Sequence, residues 1–261
     1  VSPGDRPDRP AQAALAGASG ITLLGERVVV HGHDLHQECM SLSFVAYALF
    51  CVTGRMFPSA QARVLEEFWI ATGYADPRIW CNRIAGYMAS ARVDPGLSLS
   101  AAIAASDSMA YGFGAMRAAY LVQASMPEPE TERAAWLAQQ LGAQRVLHGY
   151  GRPIHGRDER IACALASLAK HGLRAGPALM RAFWLDAELR AQKGVALNIS
   201  GVWAASALDF GLGEAAYAEF MLLMFAPGYL AVYADQRKRP ALSFLHSQQS
   251  EPATPGAEPN R

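Results

Sequence analysis

The run Gly149-Tyr150-Gly151-Arg152-Pro153-Ile154-His155 sets a guanidinium and an imidazole three positions apart, directly after a glycine-flanked turn. Arginine stays charged at neutral pH, so Arg152 cannot shuttle protons but can stabilise an anionic oxygen or a carboxylate. His155 titrates in the range useful for acid–base work. The glycines let the backbone approach a ligand closely and open a helix-start anion site. Ser200 offers a neutral hydroxyl, which needs its own activating partner before it can act as a nucleophile or base. Tyr111 can donate a hydrogen bond. Asp107 lies four residues earlier, on the same face if one helix carries both, and would orient it. His31, His33 and His36, beside Asp34 and Glu38, have an H-x-H spacing. A zinc site also wants a third ligand and an open position, so no metal is expected here.

The elements that must position these groups are mostly helical. ERVVVHGHD is the one convincing short strand, ending at Gly32. After it, apolar spacing follows the helical period. Val64, Leu65, Phe68 and Trp69 share one face; Ile161, Leu165 and Leu168 form a second stripe; Leu179, Met180, Phe183, Trp184 and Ala187 form a third, stopped by Gly194. Lys170 and His171 suit a helix C-terminus that Gly172 caps. MPEPETER is an exposed connector, with Thr131 as the N-cap of the helix that carries Trp136. Ala-rich helices joined by short loops predict an all-α protein. The segments 1–20 and 247–261 are rich in Pro, Ala, Gly and polar residues and read as disordered tails.

The composition sets bounds. At 51% apolar residues, 261 residues can bury a sizeable core. Charge balances at 23 Lys plus Arg against 23 Asp plus Glu, with no basic patch, so no nucleic-acid partner is expected. Cys39, Cys51, Cys81 and Cys163 are scattered and read as reduced core residues. With no basic-then-apolar leader pattern, the expected setting is the cytoplasm. LSFVAYALFCV is short for a bilayer, and FMLLMFAPGYLAVYA holds Pro227 and Gly228, so both read as buried helices rather than membrane spans. Met221 and Met224 read as core filler.

Five segments in order resemble the citrate synthase and citryl-CoA lyase superfamily, over roughly 30 to 246. VVVHGHDLHQECMSLSFVAYALFCVTGRMFPS resembles the family's opening strand and helix. WCNRIAGYMASARVDPGLSLSAAIAASDSMAYGFGAM resembles the helix pair that leads to its first active-site loop. VLHGYGRPIHGRDERI resembles the G-x-G-H-R-V loop followed by D-P-R. LNISGVWAASALDFGL resembles the lyase pattern L-N-V-D-G-x-x-x-x-x-x-x-D. GYLAVYADQRKRPALSF resembles G-x-x-x-x-x-x-D-Q followed by R-P.

The resemblance implies a two-domain helical homodimer: a large domain of 21–112 plus 213–246, a small domain of 113–212, and coenzyme A bound as a thioester in the cleft between them. It also implies that the family's catalytic side chains are replaced. Its enolate-stabilising histidine falls at Tyr111, its G-x-G-H histidine at Arg152 and its aspartate base at Ser200. Its substrate-binding histidine falls near Gly73 and Tyr74, and one citrate-binding arginine at Phe225. Arg160 matches the carboxylate-holding arginine of D-P-R. Arg239 resembles the arginine that reaches into the partner's site. Leu147, His148, Gly149, Tyr150 and Gly151, after Val146, match the adenine-binding loop.

Three functions follow from that pattern. The first is a repurposed enzyme that keeps the acyl-CoA cleft and runs C–C bond formation or cleavage, or thioester hydrolysis, on a carboxylate-bearing substrate. The second is a non-catalytic member that binds a metabolite or a partner. The third is an ordinary lyase or synthase with its base elsewhere, at Asp209 or Asp76. The charged and polar replacements favour the first, because a decayed site fills with small apolar residues.

Overall fold

A computed structural model describes residues 20–23, 27–110, 112–143, 146–152 and 158–246. Both expected tails, apart from Gly20, lie outside the described residues, and so do Tyr111 and His155.

The described residues begin with a small antiparallel sheet instead of the single strand expected: β1 (Gly20–Leu23), β2 (Arg27–Val30) and β3 (His33–Asp34) in the order β1-β2-β3. The third strand arises because the chain reverses at His31 and Gly32, both with positive φ. His33 therefore pairs back on Val30. A single π-helical turn, Leu35–Cys39, follows and is capped by Asp34. The His31 and His33 rings each meet the Phe50 ring in a T-shaped arrangement, with centroids 5.3 Å apart. The His31 ring hydrogen-bonds Cys51 O, and His33 meets Glu38 at 2.8 Å. These histidines are spent on packing and local pairing. Among the described residues no group of three or more metal-ligating side chains gathers.

Twelve helices follow among the described residues: α1 (Phe44–Thr53), α2 (Ser59–Thr72), α3 (Trp80–Ser90), α4 (Pro95–Ser106), α5 (Phe113–Ser125), α6 (Glu130–Ala143), α7 (Glu159–Lys170), α8 (Pro177–Lys193), α9 (Ile199–Asp209), α10 (Glu214–Met221), α11 (Ala226–Arg237) and the short α12 (Ser243–His246). The expectation of an all-α protein holds.

The α9 sequence, ISGVWAASALD, is rich in small residues around one tryptophan, and this lets it run through the middle of the molecule. Residues Gly201 to Ala207 are all buried. Trp203 is fully buried, edge-on to Phe68 of α2 at 5.1 Å, and its indole donates to Thr72 at 3.2 Å. The α2 stripe is buried as its period predicts. The apolar run at 214–237 is long and apolar enough to cross a membrane by composition, but it is two helices broken at Leu222–Phe225. Tyr217, Phe220, Met221, Tyr229, Val232 and Tyr233 from it are all buried.

Two stripes are rotated from expectation. On α7, Ala164, Ser167 and Leu168 face inward while Leu165 is exposed. On α8 the buried face is Ala178, Leu179, Ala182, Leu185 and Leu189, and Met180 is 58% exposed. In both, alanine and serine let neighbours come close, so small residues rather than the largest apolar ones define the packed face. Thr131 lies inside α6, which begins at Glu130, two residues earlier than a Thr131 cap requires. All four cysteines are free, and Cys163 is exposed rather than in the core.

Candidate functional site

The site is built where α7 and α9 begin and where the loop 146–152 crosses them. Asn198 precedes an apolar run, as N-cap residues do. Its side-chain oxygen accepts from Ser200 N at 2.9 Å, and its amide nitrogen donates to Gly151 O at 2.8 Å. Its backbone N–H donates to Gly149 O at 2.9 Å, and Gly151 N donates to Ala196 O at 2.7 Å. The glycine loop is thus stitched to the start of α9. Contact is so close that a Cβ on Gly201 would lie 2.6 Å from Gly149 O. Gly149 and Gly151 both have positive φ, which favours glycine.

Asp158, whose side chain is fully buried, ties the two helix starts together. It caps α7 and accepts from Ile199 N at 2.9 Å. Arg160 grips it with Nε and Nη2, each at 2.8 Å, and Arg152 Nη1 stands 3.8 Å away. Burial pushes the Asp158 carboxyl up, but Arg160 and the Ile199 and Arg160 amides together outweigh it and hold the pKa below the usual range. Two helix N-termini add to that preference for a negative charge. Arg152 also meets Glu159 at 2.8 Å, which lowers the Glu159 pKa.

Arg152 and Ser200 are therefore brought close together, linked through Gly151, Asn198 and Asp158. Arg160 belongs to the same cluster, with its fork turned onto Asp158. Arg239 does not join it by any described contact. It pairs with Asp235 at the end of α11, and its carbonyl accepts from Arg92. Asp107 ends α4, which stops at Ser106, so no continuous helix carries Asp107 toward position 111.

Of the loop residues, Leu147, Tyr150 and Gly151 line a cavity of about 640 Å³, with Leu141, Leu189 and Lys193 opposite. The Tyr150 hydroxyl is not presented to that cavity. It donates to Ala182 O at 3.1 Å and accepts from Gln123 at 2.9 Å, and burial pushes its pKa up. Gly149 packs on Gly201 and Ala119 instead, and His148 is half-buried in the turn.

The alternative bases are engaged structurally. Asp209 accepts from Ala178 N and Leu179 N at 2.7 and 3.0 Å, capping α8. Asp76 is gripped by Arg78, which lowers its pKa. Gly73 packs against Met224, the residue before Phe225. A Cβ on Gly73 would lie 2.3 Å from Met224 O, and the Phe225 ring sits 5.2 Å from Phe113. A larger side chain at 73 has no room while the 222–225 turn sits there.

Sequence reasoning missed Asp158, Glu159 and Asn198. The signals were an aspartate two residues before an arginine at a helix start, and an asparagine before an apolar run. Chemically, the described cluster is an anion cradle. Two guanidiniums flank a buried carboxylate held ionised, beside a cavity that is largely apolar. Both of its carboxylates, Asp158 and Glu159, are held ionised and hydrogen-bonded to arginine, so neither serves as a general acid at neutral pH.

The fold has counterparts among solved structures. Citryl-CoA lyase from Hydrogenobacter thermophilus superposes with a TM-score of 0.75 at 19% identity, covering 91% of this chain and 93% of that one. ATP citrate lyase from Methanothrix soehngenii, in complex with citrate and coenzyme A, gives 0.73 at 17% identity; this chain spans 44% of its length. Citrate synthase from Thermotoga maritima gives 0.63 at 16% identity, covering 84% of this chain and 58% of that one. The chain has the citrate synthase-like helical fold. No protein-family model and no curated protein matches it by sequence.

Proposed function

We propose that this protein binds coenzyme A thioesters and acts in the Arg152–Ser200 crevice on a carboxylate-bearing acyl group, by C–C bond formation or cleavage or by thioester hydrolysis. The observation that carries this reading is the loop 147–151. It seals one side of the 640 Å³ cavity and delivers Arg152 beside the first turn of α9. The cavity takes the adenine among Leu141, Leu147 and Leu189, and Lys193 at its rim meets phosphate. The pantetheine arm then runs toward Arg152, whose guanidinium exchanges the exposed Glu159 for the thioester oxygen or a substrate carboxylate. Ser200 lies in the first turn of α9, where developing negative charge is favoured. Related folds solved with coenzyme A and citrate, or with citryl-CoA, support the ligand class.

Isothermal titration with coenzyme A and acetyl-CoA tests the reading. Lys193→Glu, an exposed charge reversal, is expected to weaken coenzyme A by about tenfold, since one reversed charge beside a phosphate is worth roughly 1.4 kcal/mol. Absence of binding at about millimolar coenzyme A removes the proposal.

A second reading, a non-catalytic metabolite-binding or regulatory partner, is favoured by one observation. Asp158, Asp76 and Asp209 are all committed to capping or ion pairs, so none is poised as a base. Tight coenzyme A binding, with no turnover across a panel of acyl-CoAs followed by mass spectrometry, selects it.

A further inference from the structure

Between the N-terminal halves of α6 and α8 lies a second cavity, of about 570 Å³, lined by Glu128, Arg133, Met180, Arg181, Phe183 and Trp184. The coenzyme A cavity proposed above lies at the C-terminal ends of the same two helices. Along α8, Arg181 and Lys193 are about 18 Å apart at 1.5 Å per residue. The two cavities share no lining residue.

The electrostatics of this cavity are unbalanced. Arg133 is committed: it donates to Pro127 O and Glu128 O, fixing that turn, and its guanidinium lies 5.8 Å from the centre of the Trp184 ring. Arg181 is only 12% exposed, yet its ion-pair partner, Glu128, stands 3.7 Å away on a side chain that is 84% exposed. That separation is beyond hydrogen-bond length. The Arg181 Nε is buried with no hydrogen-bond partner. Buried donors are nearly always satisfied, and a buried guanidinium is costly without a close counter-charge. Beside it stand the half-buried flat rings of Phe183 and Trp184 and the exposed thioether of Met180, a surface suited to a planar apolar body.

We propose that this cavity binds an aromatic anion, its ring against Trp184 and Phe183 and its carboxylate or phosphate in the fork of Arg181, displacing Glu128. An oxyanion reaching Nε and one Nη together makes the two parallel bonds for which a guanidinium is built, and which Glu128 does not supply. The proposal stands independently of the coenzyme A site.

The test is calorimetry on the full chain with indole-3-acetate and AMP as aromatic carboxylate and aromatic phosphate, and with indole and acetate as the separated halves. At least one aromatic anion is expected to bind about tenfold or more tightly than indole or acetate, and Arg181→Met to abolish that gain. Because Glu128 is exposed and competes for Arg181, Glu128→Ala is expected to fold normally and to tighten binding severalfold while leaving coenzyme A affinity unchanged. Binding of both aromatic anions without response to Glu128→Ala or Arg181→Met counts against the proposal. So does the absence of binding by both aromatic anions at about 5 mM, or indole binding as well as its acid. The carboxylate-to-phosphate preference then identifies the source of the anion.

Discussion

At the scale of single residues, Asp158 is the group on which the site depends. It is the shared acceptor for two helix starts and for Arg160, and Arg152 faces it. Asp158→Asn keeps the shape but removes the buried charge that Arg160 grips and Arg152 faces. Breaking a buried pair in this way costs on the order of 3 kcal/mol, and urea unfolding at neutral pH measures it. The structure also separates residues that the sequence grouped. Arg152, Arg160 and Ser200 gather, whereas Arg239 sits with Asp235. The first three were legible because a glycine-flanked turn and a helix start are local patterns. Asp158 was harder to read, because its importance comes from Ile199, which lies 41 positions away in the chain.

At the scale of elements, contacts between helices set both stability and its pH dependence. Glu67 on α2 accepts from Lys170 and His171 at the end of α7, at 2.7 and 3.0 Å. The hydrogen bonds from Lys170 and His171 help lower its pKa from 4.5 to about 2. A carboxylate with a depressed folded pKa stabilises the fold fully above its unfolded value and loses that contribution as pH falls through the folded one. The α2–α7 contact should therefore weaken between pH 4.5 and about 2. Denaturant titrations in that window should show a steeper acid loss for the natural chain than for Glu67→Gln; equal slopes contradict the assignment. Lys170 and His171 were expected to serve the helix dipole, and they do lie at that end. Their cross-helix partner was not readable from a single helical period.

Glycine makes a second test at this scale. A Cβ at Gly201 would meet Gly149 O at 2.6 Å, so Gly201→Ala should destabilise by about 1–3 kcal/mol through overpacking and loosen the 149–152 loop. At Gly142 on α6 a Cβ meets nothing, so Gly142→Ala should stabilise by up to about 1 kcal/mol from helix propensity. Thermal melts of the two variants should move in opposite directions. The stripe on α8 shows why pattern alone goes astray. Phe183 and Trp184 look like core, but Ala178 and Ala182 make the packed face, and the two aromatics border a cavity.

At the scale of the whole molecule, the fold was legible from the order of five weak segments, although no one of them was decisive. The chemistry was less legible, because the positions that matter were filled by other residue types and two of them, Tyr111 and His155, lie outside the described residues. We further propose a homodimer in which Arg239, 57% exposed, faces the partner. Light scattering should return twice the 28.0 kDa chain mass, and a monomer at all concentrations would count against it. The central claim, that the glycine-flanked loop and the starts of α7 and α9 form a coenzyme A crevice, is tested most directly by amide hydrogen exchange with and without coenzyme A. The account predicts added protection at 146–152 and 193–201, with little change around Arg239. Unchanged exchange at 146–152 under saturating coenzyme A, or protection confined to other helices, would contradict it.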